Sequence, residues 1–556
     1  MGEISRRRFL NKSIKGATIV AGLGLTGLAK AVADESKSKD ASPSVAPPDG
    51  SAGSGNADGA NAEMSPGTNS NSSKEPSTSP DATTTAEPAA PSSVAPEPPS
   101  IAGDVILAGS PEYDESRKNY NGRFNIEPKC ILYCKNENDV IKAVKWAQAQ
   151  KLRVSIRSGG HSYEAFSLIQ DGVVIDLSKM TNVKVDLAAK TATVAAGTTL
   201  IPMYEALWQK GVVVPGGSCA SVGIGGSTLG GGFGLLSRHM GLTCDNLKAL
   251  RMVDANGDVL VADANNRSDL LWACRGGGGG NFGVVTQFTF KVHPIGNVTV
   301  IKMRWNWQDM KTVIKAWQKW APNADERLTS VLTMSSKAAG SLLFLGIFIG
   351  APGTARALIQ PLVNAAKPIR DSFEVSSFID AARRFSGFKK ATTPLSANAL
   401  PDTVHMHVHP RFKNTSDYVN AELSDEAIDS IIKYLTESPI KSSCVQFDGY
   451  GGAIARVAEQ DSAFCHRAGT KFCMHYQVSW GRASDDNVGI TWVESFRDAM
   501  QPFVSGFSYA NYCDLAIEDW AHRYYGANLA RLNSVKSKYD PDGFFSFAQS
   551  LKGATT

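Results

Sequence analysis

Apolar positions along the chain follow two rhythms, a period of two and a helical spacing, and together they predict an alternation of short strands and helices. Pro128–Tyr133 reads as a strand. Residues 137–150 then place Val140, Ile141, Val144 and Ala147 at helical spacing, with Asn136 or Asn138 as cap. Leu152–Ile156 alternates apolar with polar side chains as a short strand, and Val173–Leu177 and Thr191–Ala195 add two more. Ile201 to Lys210 has a helical pattern that stops at Gly211. Leu247–Val253 and Val259–Val261 flank Asn256-Gly257 and predict a hairpin. This order predicts an α/β or α+β domain beginning near Ile101. After Pro294 the texture changes: Trp305, Trp307, Trp317 and Trp320 mark an aromatic segment, and helical patterns alternate with strands such as Leu342–Phe348. A separate domain is expected there, running to about Val504, followed by a helix over Trp520–Lys538.

The first 100 residues lack these rhythms. Ser5-Arg-Arg-Arg-Phe-Leu10 opens a basic segment with Lys12 and Lys15, and an apolar run over Ala17–Ala29 follows, too short for a typical membrane span. Ala31-Val-Ala33 supplies the small residues that a signal peptidase accepts. Residues 1–33 resemble a twin-arginine (Tat) export signal cleaved after Ala33. That resemblance implies the Tat machinery as a partner, a periplasmic or extracellular location and no stable membrane span in the mature chain. The route carries proteins already folded, often with cofactors inserted, so a cofactor protein should follow. Residues 34–100 are mostly Ser, Pro, Ala, Gly, Thr and Asn with almost no aromatic or branched apolar side chains. They cannot bury enough surface to offset ordering entropy, and a disordered tether is expected.

Charge and cysteine content exclude other classes. A net charge of +4 over 556 residues does not indicate nucleic acid. Nine cysteines are too dilute for a disulfide scaffold, and no Cys-x-x-Cys pair has zinc-finger spacing. Cys130 and Cys134 read as a strand-face pair or a disulfide. The odd count leaves at least one thiol over.

Glycine carries the candidate chemistry. In Arg157-Ser-Gly-Gly-His161, two adjacent glycines let the backbone turn tightly and aim its N–H groups at an anion. His161 closes that turn where a phosphate-bearing cofactor would end. Residues 219–234 and 276–283 are two further glycine-dense turns. Three such turns are entropically expensive, which favours a ligand wrapped by backbone. Gly223-x-Gly225-x-x-Thr228 does not complete the dinucleotide Gly-x-Gly-x-x-Gly fingerprint, and no Gly-Lys-Ser or Gly-Lys-Thr follows any of the turns. A pyrophosphate held by several backbone turns, instead of one helix start, is what remains.

Arg157-Ser-Gly-Gly-His-Ser-Tyr163, Cys219-x-x-Val-Gly-x-Gly-Gly226 with Gly230-Gly-Gly-Phe-Gly234, Trp272-x-Cys-Arg-Gly-Gly277 with Asn281-Phe-Gly283, Tyr509-x-Asn-Tyr512 and Tyr524-Tyr-Gly-x-Asn528 stand in one order. Phe412-Lys-x-x-Ser416 and Lys538-Tyr-Asp-Pro541 accompany them. Over 101–556 the chain resembles the berberine-bridge-enzyme-like flavoproteins, of the vanillyl-alcohol-oxidase type. The resemblance implies a two-domain α+β fold: an FAD-binding domain built from 101–295 and 505–556, and an inserted substrate domain, 296–504, whose antiparallel sheet is flanked by helices and faces the flavin. It implies FAD attached twice, through His161 to the 8α-methyl and through Cys219 to carbon 6. Imidazole nitrogen and thiolate are side-chain nucleophiles able to add to an electron-poor ring. By the same carry-over Arg157, Ser158, Gly159, Gly160, Ser162, Val222, Gly223, Gly225, Gly226, Gly230, Gly283 and Asn511 bind the cofactor. Val222 stands at the family's oxygen gate, where a small β-branched residue goes with oxidase behaviour and O2 as acceptor.

The resemblance places Tyr512 as the base and Tyr163 as a second active-site tyrosine. A tyrosine with a pKa of about 10 is a poor base, so cationic character beside Tyr512 is expected to lower it. The strand Lys471–Trp480 turns Cys473, His475 and Gln477 to one side, and His475 could assist or replace the tyrosine. Phe233 departs from plant relatives, which often carry a tyrosine there. His405-Met-His-Val-His409 would face three imidazoles one way along a strand, but nothing nearby completes a ligand set. It is read as a substrate-facing or packed polar wall, with no metal expected. The expected activity is an FAD-dependent oxidase acting on an alcohol or hemiacetal carbon of a small molecule, giving H2O2. A carbohydrate or oligosaccharide is favoured because export reaches extracytoplasmic substrates. The alternatives are oxidative cyclisation or amine or alcohol oxidation of a secondary metabolite, and a catalytically silent flavin carrier, against which an intact Tyr512 argues.

Overall fold

The first apolar runs pair into a small mixed sheet. β1 (Asp104–Leu107) lies antiparallel to β2 (Cys130–Tyr133), and β3 (Val154–Arg157) and β4 (Val173–Asp176) extend it in parallel, in the order β1-β2-β4-β3. This is a computed structural model describing residues 97–387 and 409–553; those from Pro98 onward form one unit. Residues 1–33, read as an export signal, the part of the expected tether up to residue 96, His405 and His407 lie outside the described residues.

Parallel β2 and β3 need a crossover, which α1 (Glu137–Ala149) supplies. It begins at the expected cap: Asn136 Oδ1 accepts the Asp139 N–H at 3.0 Å. It buries Val140, Ala143, Val144 and Ala147, one stripe at helical spacing. Cys130 and Cys134 are separate buried thiols, not a disulfide; Cys134, beyond the strand end, turns its sulfur toward the Leu132 carbonyl at 3.6 Å.

A second sheet is antiparallel throughout. β5 (Val183–Asp186), β6 (Thr191–Ala195), β8 (Leu247–Val253), β9 (Val259–Asp263) and β10 (Val284–Lys291) run in the order β5-β6-β10-β8-β9. The expected β8–β9 hairpin is present, and Gly257 takes φ +75° in its turn. α2 (Leu200–Trp208) leads to β7 (Val212–Val213), which pairs with β11 (His293–Pro294).

The third sheet has seven antiparallel strands. They are β12 (Asn297–Trp305), β13 (Leu328–Ser335), β14 (Leu342–Phe348), β15 (Arg370–Ser377), β16 (Arg411–Val419), β17 (Cys444–Gly449) and β18 (Phe472–Trp480), in the order β15-β12-β14-β13-β17-β18-β16. β18 shows why its register is unambiguous. Phe472, Met474, Tyr476, Val478 and Trp480 enter one core with Trp317, Ile431 and Phe496 from the covering helices. Burying each such side chain is worth roughly 1.5–3 kcal/mol. A slip of one residue would turn all five to the other face. That other face carries Cys473, His475 and Gln477, as the alternation predicts.

The C-terminal chain returns to the glycine turns. Lys536 Nζ donates to the carbonyls of Asn281 and Phe545, both at 2.7 Å, and the Leu551 N–H donates to Asn281 Oδ1 at 2.9 Å. The helix expected over Trp520–Lys538 is divided into Trp520–Tyr525 and Leu529–Tyr539. Gly526 at φ +49° breaks it. Among the described residues no helix is long and apolar enough to cross a membrane.

Candidate active site

Three glycine turns and the C-terminal tail close on one cavity of about 320 Å³. The turn after β3 supplies Ser158, Gly159, Gly160, His161, Ser162 and Tyr163 to its wall. Gly160 adopts φ +65°. Gly159 lies against the second turn so closely that a Cβ would stand 2.3 Å from the Gly223 nitrogen. That second turn brings Cys219, Val222, Gly223, Gly225 and Gly226 to the same cavity, and the third brings Gly278, Gly279, Gly280 and Gly283. From the tail come Asn511 and Tyr512. Asn511 ties tail to turn, its Nδ2 donating to the Ser227 carbonyl at 3.0 Å.

Three of the expected site residues do not line the cavity. Arg157 points away: its guanidinium pairs with Asp176 and donates to the Ser116 carbonyl at 2.7 Å. Parallel pairing sets Arg157 opposite Asp176, so the side chain is spent on joining β3 to β4. Gly230 packs behind Asn511, where a Cβ would meet Asn511 Oδ1 at 2.1 Å. His475 is buried behind the tyrosines. Its ring stacks on Tyr512 with centroids 3.8 Å apart, and its Nε2 is 3.5 Å from Tyr163 Oη. Burial lowers its pKa to about 3, so it is neutral and shielded from the cavity.

Two side chains from β17 complete the wall, Gln446 and Asp448. Tyr512 Oη donates to Asp448 Oδ2 at 3.2 Å, and Gln446 Nε2 donates to Oδ1 at 2.7 Å. Burial pushes the Asp448 carboxyl up to about 6, and the hydrogen bonds from Gln446 and Tyr512 oppose the rise. The cationic neighbour expected for Tyr512 is replaced by this carboxylate. Burial and the Asp448 charge both raise the Tyr512 pKa well above its ordinary value. No motif in the sequence marks Asp448. The available signal was a carboxylate and an amide at alternate positions of an apolar strand, Cys444-Val-Gln-Phe-Asp448.

Beneath these groups lies a buried ion cluster. Lys413 Nζ donates to Glu164 Oε1 at 2.6 Å and to Asp514 Oδ1, and Arg123 donates to Glu164 Oε2 at 2.8 Å. It joins the segment carrying Tyr163, the tail carrying Tyr512 and the seven-stranded sheet. Of the His405–His409 run, only His409 falls among the described residues; its Nδ1 lies 2.5 Å from the Asn119 carbonyl. No group of three or more His, Cys, Asp or Glu side chains among the described residues could hold a metal.

Residues 128–263 match the FAD binding domain family, and residues 508–552 match the berberine and berberine-like family. The FAD-linked oxidoreductase YvdP of Bacillus subtilis is 40% identical over 453 residues, which cover 81% of this chain and 98% of the relative. The chain belongs to the berberine-bridge-enzyme-like family of FAD-linked oxidoreductases. Within that family, a monolignol oxidoreductase of Arabidopsis thaliana is 32% identical, with 77% of this chain and 84% of the relative covered. The structure of BBE-like 1 from Physcomitrella patens superposes with a TM-score of 0.77 at 30% identity, covering 82% of this chain and 98% of that one. A grass pollen allergen described as having glucose dehydrogenase activity superposes with a TM-score of 0.73 at 26% identity, covering 81% and 97%.

The residues present fit FAD. His161 Nδ1, on the cavity wall, is buried without a protein partner, and a buried polar atom left unpaired is costly. A Cβ at Gly226 would meet no protein atom within 4 Å, so open space adjoins that backbone. Burial lowers the His161 pKa to about 3, leaving a neutral imidazole with a nucleophilic lone pair. Burial also raises the Cys219 thiol, while hydrogen bonding from Ser221 pulls the other way.

Proposed function

We propose that this FAD-linked oxidoreductase is an oxidase acting on an alcohol or hemiacetal carbon of a small molecule, a carbohydrate or oligosaccharide before others. Dioxygen is the final acceptor and hydrogen peroxide the product. Bound FAD supplies the hydride acceptor. The chain's own residues handle the hydroxyl proton. A substrate hydroxyl hydrogen-bonded to Tyr512 Oη passes its proton to that oxygen as the phenolic proton passes to Asp448. With a pKa of about 6, Asp448 is a carboxylate at neutral pH and near the range where a general base works best. Tyr512 is thus a relay, and its own high pKa ceases to be an obstacle. Gln446 holds the second carboxylate oxygen and orients the acceptor. Tyr163 lies parallel to Tyr512, with centroids 5.7 Å apart, and shapes the wall beside it. In the same reading His161 and Cys219 both bond to FAD, and Val222 leaves a path for dioxygen.

The hydrogen bond between Tyr512 and Asp448 carries this reading, because it gives a hydroxyl proton a defined destination inside the FAD cavity. The glucose dehydrogenase activity in the description of the pollen allergen supports a carbohydrate substrate. The twin-arginine-like residues 1–33 support Tat export to the periplasm or beyond. A panel of aldoses, oligosaccharides and primary alcohols, assayed for peroxide release, tests the proposal. Release with a member of the panel, lost in Asp448→Asn, supports it; no release from flavin-loaded protein with any of them refutes it.

A further inference from the structure

His161 and Cys219 reach the cavity from different turns, and one side chain behind them meets both. Ser221 Oγ lies 2.9 Å from His161 Nε2 and 4.0 Å from Cys219 Sγ. Ser221 does not line the cavity, and neither does Tyr120, whose ring stacks on the imidazole with centroids 4.1 Å apart. The imidazole is therefore gripped on its face by Tyr120 and at Nε2 by Ser221. Nδ1 is the ring nitrogen without a protein partner. A neutral imidazole carries its proton on one nitrogen and its lone pair on the other, and the hydrogen bond to the protonated nitrogen selects the tautomer.

We infer that Ser221 is a positioning residue for covalent attachment of the cofactor. Its oxygen accepts the Nε2–H of His161, which leaves the lone pair on Nδ1, and its own proton is directed to Cys219 Sγ, which favours the thiolate. The inference rests on the reading that FAD is joined to both residues. Each attachment replaces a flavin C–H bond by a C–N or C–S bond. One proton leaves the flavin carbon, and one leaves the amino acid, from Nε2 of His161 or from the thiol of Cys219. The two electrons remain on the flavin and pass to dioxygen, which takes up both protons as hydrogen peroxide. The side chain that opens both nucleophiles is the same, so the two bonds are coupled through one hydroxyl.

The test uses full-length protein made under riboflavin limitation and then given FAD. Flavin on the His161 and Cys219 peptides is followed by mass spectrometry after proteolysis, and the visible flavin absorbance of the desalted, folded protein reports cavity occupancy. Wild type should carry both bonds; if it carries neither, the reading beneath the inference fails before any variant is compared. Ser221→Ala should retain FAD in the cavity, lose the bond at Cys219 and form the bond at His161 roughly tenfold more slowly, the effect of one hydrogen bond. Ser221→Thr and Ser221→Val share a shape and differ in the hydroxyl, so they decide the matter even where the alanine variant does not fold. Thr should attach flavin at both residues and Val should behave as Ala. Attachment at both residues at the wild-type rate in Val or Ala, or equal loss in Thr and Val, overturns the inference.

Discussion

Tyr512 Oη donates its hydrogen bond to Asp448 Oδ2 at 3.2 Å, joining the C-terminal tail to the middle of the seven-stranded sheet inside the FAD cavity. The pair gives the tyrosine an acceptor for its proton. Asp448→Asn keeps the shape and the hydrogen bond but removes the basic oxygen. Turnover at saturating substrate should fall by about 10²–10⁴-fold, with KM changed far less, as steady-state peroxide assays would record.

Tyr512→Phe should lose a similar factor. The two residues act as one relay, so Tyr512→Phe with Asp448→Asn should be no slower than the worse single variant by more than about threefold. Multiplicative losses in that double-mutant cycle would separate the residues into independent roles.

The rate and the stability should depend on pH with opposite signs. Turnover needs the carboxylate, so it should fall as pH drops through about 6. Stability runs the other way. The folded-state pKa of Asp448 is raised above the unfolded value, so the folded protein binds more protons between the two. The burden of a buried charge is fully present above about 6 and is relieved as pH falls toward the ordinary carboxyl value. Asp448→Asn should therefore melt higher than wild type at pH 8, and the difference should shrink below pH 6, as paired thermal melts would show.

Lys413 is the cation between two buried carboxylates, with Glu164 Oε1 at 2.6 Å and Asp514 hydrogen-bonded as well. Lys413→Met leaves those carboxylates with one fewer buried partner and should destabilise the protein by about 3–5 kcal/mol in denaturant titrations. The segments bearing Tyr163 and Tyr512 both end in this cluster, so surviving protein should also turn over more slowly.

Gly159→Ala tests the cofactor cradle. Its Cβ would lie 2.3 Å from the Gly223 nitrogen and 2.9 Å from the Ser221 carbonyl, both backbone atoms with little freedom to yield. The first two turns must separate to admit it. Flavin content per chain, read from the visible spectrum, should fall to a small fraction of the wild-type value.

The glycine turns were legible because their message is local: a positive φ at Gly160 or contact of backbone with backbone at Gly159 leaves one residue type able to serve. Strand alternation likewise disclosed the polar face of β18, since burial of Phe472, Met474 and Tyr476 on one side dictates what the other side shows. Asp448 was hidden for the opposite reason. Its meaning depends on pairing of β17 with β18 and on a tail 64 residues away that brings Tyr512 to it. Arg157 was carried over from the family motif, and a motif does not tell which way a side chain points; strand register pairs it with Asp176, away from the cavity. His475 lies on the expected face, but Tyr512 stacks over it and keeps it from the cavity.

Anaerobic reduction of the bound flavin, followed by loss of its visible absorbance after mixing with an oxidisable sugar or alcohol, tests the proton relay without dependence on oxygen. Wild type should bleach at a rate that falls below pH 6, and Asp448→Asn should bleach at least about a hundredfold more slowly at every pH above it. Bleaching of the Asn variant at the wild-type rate would contradict the account.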